Sequence, residues 1–371
     1  MVGAGLGGLT AAGFLQRSGF TVKVYEQAPA FSRIGAGIIL SANATKVLRR
    51  LGLEEALIGA GIKSQQYISR AWDTGATMYE IAFDAASERR FGGAYVHIHR
   101  GDLHTVLERA VAPGTIAFDH QLVDLEEKAG AVQLVFANGA SAEADIVIGA
   151  DGIRSKVRDC LLGAEPPRLS GAAAYRAIFP ADRLNGLKIP DCTKWWGKDR
   201  HCLPYYLTGR RDEVYAIGVV PAARWDGDEA PVPSSREQYQ ASFAGFHADL
   251  QRVLQAVDTV SLWPIYDRTR DDRWSGGRDR RIVLLGDACH PVPPYMAAGG
   301  AMAVEDAAIL SRCLTQFDDR EEAFATYTAT RIPRVAEVQR ISLANTWMRG
   351  PTDTDWFYCY DPCTAPLQAP R

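Results

Sequence analysis

The sequence predicts an α/β fold in which a parallel sheet covered by helices is joined to an antiparallel β-sheet and closed by a C-terminal helical segment. Three observations carry that expectation. The first is the opening stretch Met1-Val2-Gly3-Ala4-Gly5-Leu6-Gly7-Gly8, where Gly3, Gly5 and Gly8 keep a G-x-G-x-x-G spacing. The second is the apolar run Ile282-Val283-Leu284-Leu285, which reads as a buried parallel-type strand. The third is the stretch 172–267, which carries many short strand patterns and six of the fourteen tyrosines and reads as antiparallel.

Gly3 permits a tight turn out of the first strand, and Gly5 lets backbone approach a pyrophosphate. Gly8 lets the following helix pack closely on the sheet. A helix rich in small residues (Thr10 to Arg17), a second strand at Thr21–Tyr25 and an acid, Glu26, eighteen residues after Gly8 complete a dinucleotide-binding fingerprint. The acid suits ribose hydroxyls, and the helix N-terminus suits the diphosphate. An ordinary glycine-rich turn gives no reason for Glu26 to stand in register. Only Met1 and Val2 precede Gly3, although strands usually run about 5–6 residues. The expectation is either a natural chain that begins upstream or a short first strand with a weak hold on the dinucleotide.

Further along, Arg33-Ile34-Gly35-Ala36-Gly37-Ile38-Ile39-Leu40 reads as a glycine-punctuated loop feeding an apolar strand. Asn43–Leu51 has helical spacing, with Val47, Leu48 and Leu51 on one side and Lys46, Arg49 and Arg50 on the other. Tyr67–Ser69 and Met78–Ile81 read as strands of a different sheet. Arg100–His104 opens another helix. Ala131–Phe136, the Asn138-Gly139 turn and Ala144–Gly149 form a meander. From Ala298 onwards the pattern is helical, and the tail with Pro362, Pro366 and Pro370 is expected to be poorly ordered. There is one G-x-G-x-x-G, so a second dinucleotide would have to bind without a fold of its own.

The composition is that of a globular chain: 371 residues, 47% hydrophobic, 23% charged, net charge −3. That charge excludes a basic nucleic-acid surface and an anionic membrane as expected partners. No apolar run reaches a membrane span. Seven cysteines read as reduced thiols of a cytoplasmic protein. Cys359-x-x-x-Cys363 has no zinc spacing and no histidine pair, so no metal is expected.

Two more motifs follow. The strand ending at Gly149 runs into Asp151-Gly152-Ile153-Arg154-Ser155-Lys156-Val157-Arg158. The strand Ile282–Leu285 runs into Gly286-Asp287-Ala288-Cys289-His290-Pro291, Pro294-Tyr295-Met296-Ala297-Ala298-Gly299-Gly300-Ala301 and Glu305-Asp306. With the N-terminal fingerprint and Arg100 between, these resemble the single-component flavoprotein aromatic hydroxylases, the para-hydroxybenzoate hydroxylase class, over nearly the whole chain. Within that class the chain looks closest to hydroxynicotinate hydroxylases, through Glu26-Gln27-Ala28-Pro29-Ala30-Phe31, Ile98–His104, Lys194-Trp195-Trp196, Asp199-Arg200-His201 and Ala344–Trp347.

The resemblance implies a Rossmann-like FAD-binding domain of the glutathione-reductase type from 1–65, 96–170 and 268–320. It implies an antiparallel substrate domain from 66–95 and 171–267, and a helical segment over 321–371. It implies FAD held by Gly3, Gly5, Gly7, Gly8, Glu26, Gln27, Arg33, Ile39, Arg100, Leu122, Asp151, Asp287, Pro294, Gly299, Gly300 and Ala301. Asp287 would take the ribityl hydroxyls, and the helix opened by Gly299-Gly300 would stabilise reduced flavin. Asp151 is equally expected to cap its helix. NADH or NADPH and O₂ would be co-substrates, and a C4a-hydroperoxyflavin would hydroxylate a small hydroxylated aromatic or pyridine carboxylic acid.

His201, Tyr205 and Tyr295 are the implied ring-side residues, with Cys192 aligned as a buried thiol. A tyrosine on a strand also serves as core packing. Three positions depart from the hydroxynicotinate pattern: Ile39 and Tyr295 replace histidines, and Ala298-Gly299 replaces Gln-Gly. A salicylate- or hydroxybenzoate-type hydroxylase therefore stays open as substrate class, as does a flavin-binding protein without hydroxylase activity. An NAD-dependent dehydrogenase is disfavoured by Gly286-Asp287. The expected assembly is a monomer or homodimer.

Overall fold

A computed structural model describes residues 1–33, 36–225 and 231–370. Ile34 and Gly35, part of the glycine-punctuated loop expected above, lie outside the described residues. The N-terminal unit is built on a parallel array whose middle is Val2, bridged to Tyr25 on one side and Gly149 on the other. From there the sheet continues outward to Ile116–Ala117 beyond Val24–Tyr25, and to Ile282–Leu284 beyond Val147–Gly149. Met1, Val2, Val24, Val147, Val283 and Leu284 are all buried, as expected for parallel strands covered on both faces.

Two of the motif glycines are explained by contacts inside this array. Gly3 has φ +97°, and a Cβ there would strike the Ala150 carbonyl. A Cβ on Gly8 would strike the Gly3 carbonyl, so the helix Leu6–Arg17 sits tightly on the first turn. That helix packs along Gly299–Gln316, with Gly7 against Leu285 and Ala303. The antiparallel meander consists of Leu122–Lys128, Ala131–Phe136 and Ser141–Ala144; Val147–Gly149, expected as its last strand, belongs instead to the parallel array, because its unbroken apolar run is buried on both faces. Phe136 of the meander packs on Tyr25 at 4.6 Å between ring centroids.

The second sheet has eight strands, in the order Val232–Ser234, Val260–Asp267, Arg168–Pro180, Glu213–Pro221, His201–Tyr206, Thr193–Trp196, Gln66–Ala71 and Thr77–Ala82. Every junction is antiparallel except Thr193–Trp196 against Gln66–Ala71, which is parallel. One face packs on the helices Arg236–Ser242 and Ala248–Gln255 through Tyr175, Trp195, Cys202, Tyr239, Phe243 and Leu250. The other face, with Leu203, Tyr205, Tyr215 and Ile217, looks toward the N-terminal unit.

Helices Gly299–Gln316 and Arg320–Ala344 are locked together by buried and partly buried charges. Arg331 reaches Glu305 and Asp306 at 2.7 Å each, and Arg334 reaches Glu305 at 2.7 Å. Asn43, on the helix Ala42–Arg50, donates to Glu305 at 2.6 Å. His290 pairs with Asp306, which also accepts from the Gly286 amide. Buried charges survive only when so fully partnered.

The C-terminal tail departs from the expectation of poor order. Arg312 donates to the carbonyls of Pro362 and Ala365 at 2.7 and 2.9 Å, and the Gln368 amide donates to Thr330 Oγ1 at 2.9 Å. Cys363 and Leu367 pack on the core. The prolines here shape a docked segment. All seven cysteines are free, and no helix among the described residues is long and apolar enough to cross a membrane.

Candidate active site

A long cleft runs between the two sheets as two chambers that meet at Gly5, Arg100, Ala150 and Gly152. The larger, about 550 Å³, lies over the N-terminal glycine turn. Gly3, Gly5, Glu26, Gln27, Leu122 and Asp151 line it, together with His104 and His120. Gly5 is revealing here. A Cβ on it would meet nothing nearer than the Ala150 carbonyl at 4.0 Å, so no protein contact demands glycine. Its open side faces the cleft, as a site for close ligand approach requires.

The Glu26 carboxylate is pinned by two backbone amides, Ala4 at 2.8 Å and Ala28 at 2.9 Å. Each oxygen keeps a further lone pair for a ligand. The Arg100 guanidinium is exposed to both chambers and has no hydrogen-bond or ion partner among the described residues. Asp151 turns inward. It accepts from the Ser155 hydroxyl and from the Val157 amide, while Ser155 itself caps the helix Lys156–Leu162. Burial raises the Asp151 pKa, opposed by those hydrogen bonds.

The smaller chamber, about 290 Å³, is lined on one side by Gly7, Ile39, Asp287, Pro294, Gly299 and Gly300. Asp287 is reached by solvent within the cleft, but protein surrounds it otherwise. That enclosure raises its pKa, while His290 and Arg100 pull it down. No protein donor satisfies its carboxylate among the described residues. Beside it, the helix Gly299–Gln316 begins with no side-chain cap and no acid in its first turn. Its unpaired amides and positive dipole end are therefore left to whatever fills the chamber. The opposite wall is the second sheet, with Arg176, Leu203, Tyr205, Tyr215 and Ile217.

Five predicted residues stand apart from this cleft. Gly8 and Ala301 pack beneath it, and Ala301 is fully buried. Arg33 is engaged by Asp102 at 3.0 Å and Glu213 at 2.6 Å, at a separate surface depression. His201 is buried between Trp196 and Tyr295, at 5.5 and 5.7 Å between centroids. Burial, then the neighbouring Lys194, pushes its pKa well below the usual range, so the ring is neutral. Tyr295 packs with Val219 and Ile265, off the chamber wall.

Three residues near this face were given no site role by the sequence. Tyr215 is the register partner of Tyr205. Arg176 is a lone charge in the apolar run Ala172–Phe179, and that contrast was the available signal. Lys194 is buried, donates to the Tyr295 carbonyl at 3.0 Å and lies 3.8 Å from the Trp196 ring centroid. Burial lowers its pKa to about 7. Cys289, His290 and Asp306 lie close enough to share a cation. Asp306 is already taken by His290, Arg331 and the Gly286 amide, and the Cys289 thiol donates to the Gly286 carbonyl.

A glycine turn with an open side, a carboxylate pinned at its rim, an arginine shared by both chambers and an uncapped helix end form a cleft suited to a dinucleotide. The chain belongs to the family described as FAD binding domain, whose model matches residues 1–342. It is 44% identical to 6-hydroxynicotinate 3-monooxygenase of Bordetella bronchiseptica, over 99% of this chain and 96% of that protein. The enzyme of the same name from Pseudomonas fluorescens is 43% identical, over 100% and 97%. Among solved structures, Klebsiella pneumoniae HpxO complexed with FAD and uric acid superposes with a TM-score of 0.82 at 27% identity, covering 96% of this chain and 90% of that one. The chain is an FAD-dependent monooxygenase of the aromatic-hydroxylase class, with the Rossmann-like fold expected from its sequence.

Proposed function

We propose that the enzyme hydroxylates a small hydroxylated aromatic or pyridine carboxylic acid, in the manner of 6-hydroxynicotinate 3-monooxygenase. The observation that carries this reading is the smaller chamber itself, walled by Tyr205 and Tyr215 opposite an uncapped helix end. When bound, FAD would supply the oxygen-transfer chemistry, with NADH or NADPH and O₂ as co-substrates.

The chain's own residues do the rest. Gly3, Gly5 and the helix behind them receive the diphosphate. Glu26 takes ribose hydroxyls, Leu122 borders the adenine end and Arg100 spans both chambers as a counter-charge. Asp287 takes the ribityl hydroxyls, and the Gly299-Gly300 helix end offsets negative charge on the reduced ring. Burial pushes the Tyr205 pKa well above its ordinary value, so its hydroxyl stays protonated and orients the substrate as a donor. Leu203, Ile217, Ile39 and Pro294 exclude water from the ring.

Ile39, where hydroxynicotinate hydroxylases carry histidine, favours a second substrate class, the hydroxybenzoates. The 3-hydroxybenzoate 6-hydroxylase of Klebsiella oxytoca is 36% identical over 91% of this chain and 85% of that protein. The test is NADH oxidation by the flavin-loaded protein across hydroxynicotinates, hydroxypicolinates and hydroxybenzoates, with the product identified. Acceleration by one acid with a hydroxylated product supports the reading. Silence with every acid refutes it.

A further inference from the structure

The segment that leads from Asp287 to the Gly299-Gly300 helix end holds Pro291, Pro293 and Pro294, none of which has an N–H to donate. Three of its carbonyls are taken by side chains from elsewhere. Gln339 donates to the Pro291 carbonyl at 3.3 Å and Ser342 to the Pro293 carbonyl at 2.7 Å, both from the helix Arg320–Ala344. The Tyr295 carbonyl accepts from Lys194 Nζ at 3.0 Å, and Lys194 belongs to the strand Thr193–Trp196 of the second sheet. The turn Pro294–Met296 then ends at Ala297 with φ +52°, which a residue with a β-carbon adopts only when its surroundings enforce it. Pro294 and Ala297 line the smaller chamber, and Ala298 is the N-cap of the helix that faces it. Whatever fixes this turn therefore fixes the helix end.

Lys194 is 3% exposed, and no carboxylate acts on its charge. Its ammonium lies 3.8 Å from the Trp196 ring centroid, and that indole is itself fixed by donating to Ser69 Oγ at 2.9 Å. The titratable groups around it are Cys192 just before its own strand, the neutral His201 on the next strand, Tyr67 behind Ser69, Tyr295 on the turn and Arg349 over Trp196. Burial keeps Cys192, Tyr67 and Tyr295 protonated, so Arg349 is the one fixed charge of the group, and it opposes that of Lys194. A buried ammonium with one carbonyl and one ring as partners is costly to the fold.

We propose that Lys194 is a positioning residue: it pins the Pro294–Ala297 turn to the second sheet and so holds the Gly299-Gly300 helix end in place against the flavin ring. The proposal rests on the reading that this ring occupies the smaller chamber. Burial lowers the Lys194 pKa to about 7, which makes the grip titratable. Below that pH the bond to the Tyr295 carbonyl is charge-assisted, and above it a neutral amine donates more weakly. Stability of the flavin-free protein moves the other way. The folded pKa lies below the unfolded value of 10.5, so stability is lost as pH falls from 10.5 toward 7 and stays lost below.

The test compares wild type with Lys194→Met, which fills the space without donating, and Lys194→Arg, which stays charged throughout. Each flavin-free protein is titrated with FAD by flavin fluorescence, and with ADP by calorimetry, at about pH 6 and about pH 8.5, on either side of the lysine's titration. Wild type should bind FAD about 5- to 10-fold more weakly at the higher pH, the difference between a charge-assisted and a neutral hydrogen bond. Lys194→Met should be weak at both, about 10-fold below wild type in the acid buffer, and Lys194→Arg should be tight at both. ADP, which has no ring for the smaller chamber, should bind all three proteins alike at each pH. The flavin-free Lys194→Met protein should melt at or above wild type in the acid buffer, because a buried charge is gone. Wild type whose FAD affinity is the same at both values overturns the proposal even if neither variant folds. So does a Lys194→Met or Lys194→Arg protein that keeps the wild-type pH dependence. A Lys194→Met protein that loses ADP together with FAD, or melts well below wild type, overturns it too, since either marks a general structural role. If wild type binds FAD no more tightly than ADP, the ring has no seat in the smaller chamber, and that reading fails first.

Discussion

Replacing Asp287 with alanine should separate flavin affinity from protein stability, moving them in different directions. In the cleft this carboxylate has no protein donor, and enclosure by protein raises its pKa. Two ribityl hydroxyls donating to it would each contribute about 1.5–3 kcal/mol, as hydrogen bonds to a charged group do. Losing both weakens FAD by about 3–6 kcal/mol, roughly 10²–10⁴-fold in Kd.

Without flavin the sign reverses. A carboxyl whose folded pKa is raised holds its proton more tightly folded than unfolded, so it subtracts stability as pH rises through the ordinary carboxylate range. Removing it lifts that penalty. The flavin-free variant should therefore melt at or above wild type at neutral pH, and the two should converge in acid below the unfolded carboxylate pKa. Flavin fluorescence titration and thermal melts of both apoproteins across pH are the measurements. A variant that purifies with full flavin, or whose apoprotein melts well below wild type, refutes the reasoning.

Gly5→Ala should fold normally, because a Cβ there meets no protein atom closer than 4.0 Å, yet lose flavin, because it fills the ligand's side of the turn; equal flavin content would show the open side is unused. Arg331→Met takes one cation from each of two buried carboxylates, leaving Glu305 with Arg334 and Asp306 with His290, a loss of about 3–5 kcal/mol. For a chain of this size that is about 4–6 °C in calorimetric melting, so an unchanged Tm would mean the network is dispensable. Tyr205→Phe should lower the hydroxylation rate far more than His201→Gln, because only Tyr205 reaches the chamber; product yield per NADH consumed decides, and equal losses would place His201 at the ring after all.

The glycine fingerprint, the Asn138-Gly139 hairpin and the parallel strand at Ile282–Leu284 were legible because each is written in local chemistry, whereas Val147–Gly149 was read into the meander. A left-handed φ, a two-residue turn and an unbroken apolar run need no distant partner to be recognised. The substrate face was less legible because it depends on cross-strand register. His201 and Tyr205 share one strand and one face, but residues two apart on a strand are about 6.6 Å apart. Four residues therefore move a side chain from the chamber to the Trp196 cluster. Arg176 and Tyr215 face the chamber only because Arg176 pairs with Ile217 and Tyr215 with Tyr205, across segments that no local pattern aligns. The tail was misread for a related reason. Proline content suggests disorder, whereas the hydrogen bonds from Arg312 that hold it come from a helix far upstream.

The parallel junction between Gln66–Ala71 and Thr193–Trp196 bears on how the molecule is made. When the first of these strands leaves the ribosome, its partner has not been synthesised, and Val2 likewise waits for Val147–Gly149. Neither sheet can close on what the N-terminal half alone provides, so apolar strand edges stay uncovered while the chain grows. Long-range parallel pairing of this kind slows folding and exposes surfaces prone to association. Truncation at mid-chain should thus give an insoluble fragment, and the nascent chain should lean on chaperones until its last helices arrive to lock Glu305 and Asp306 in place.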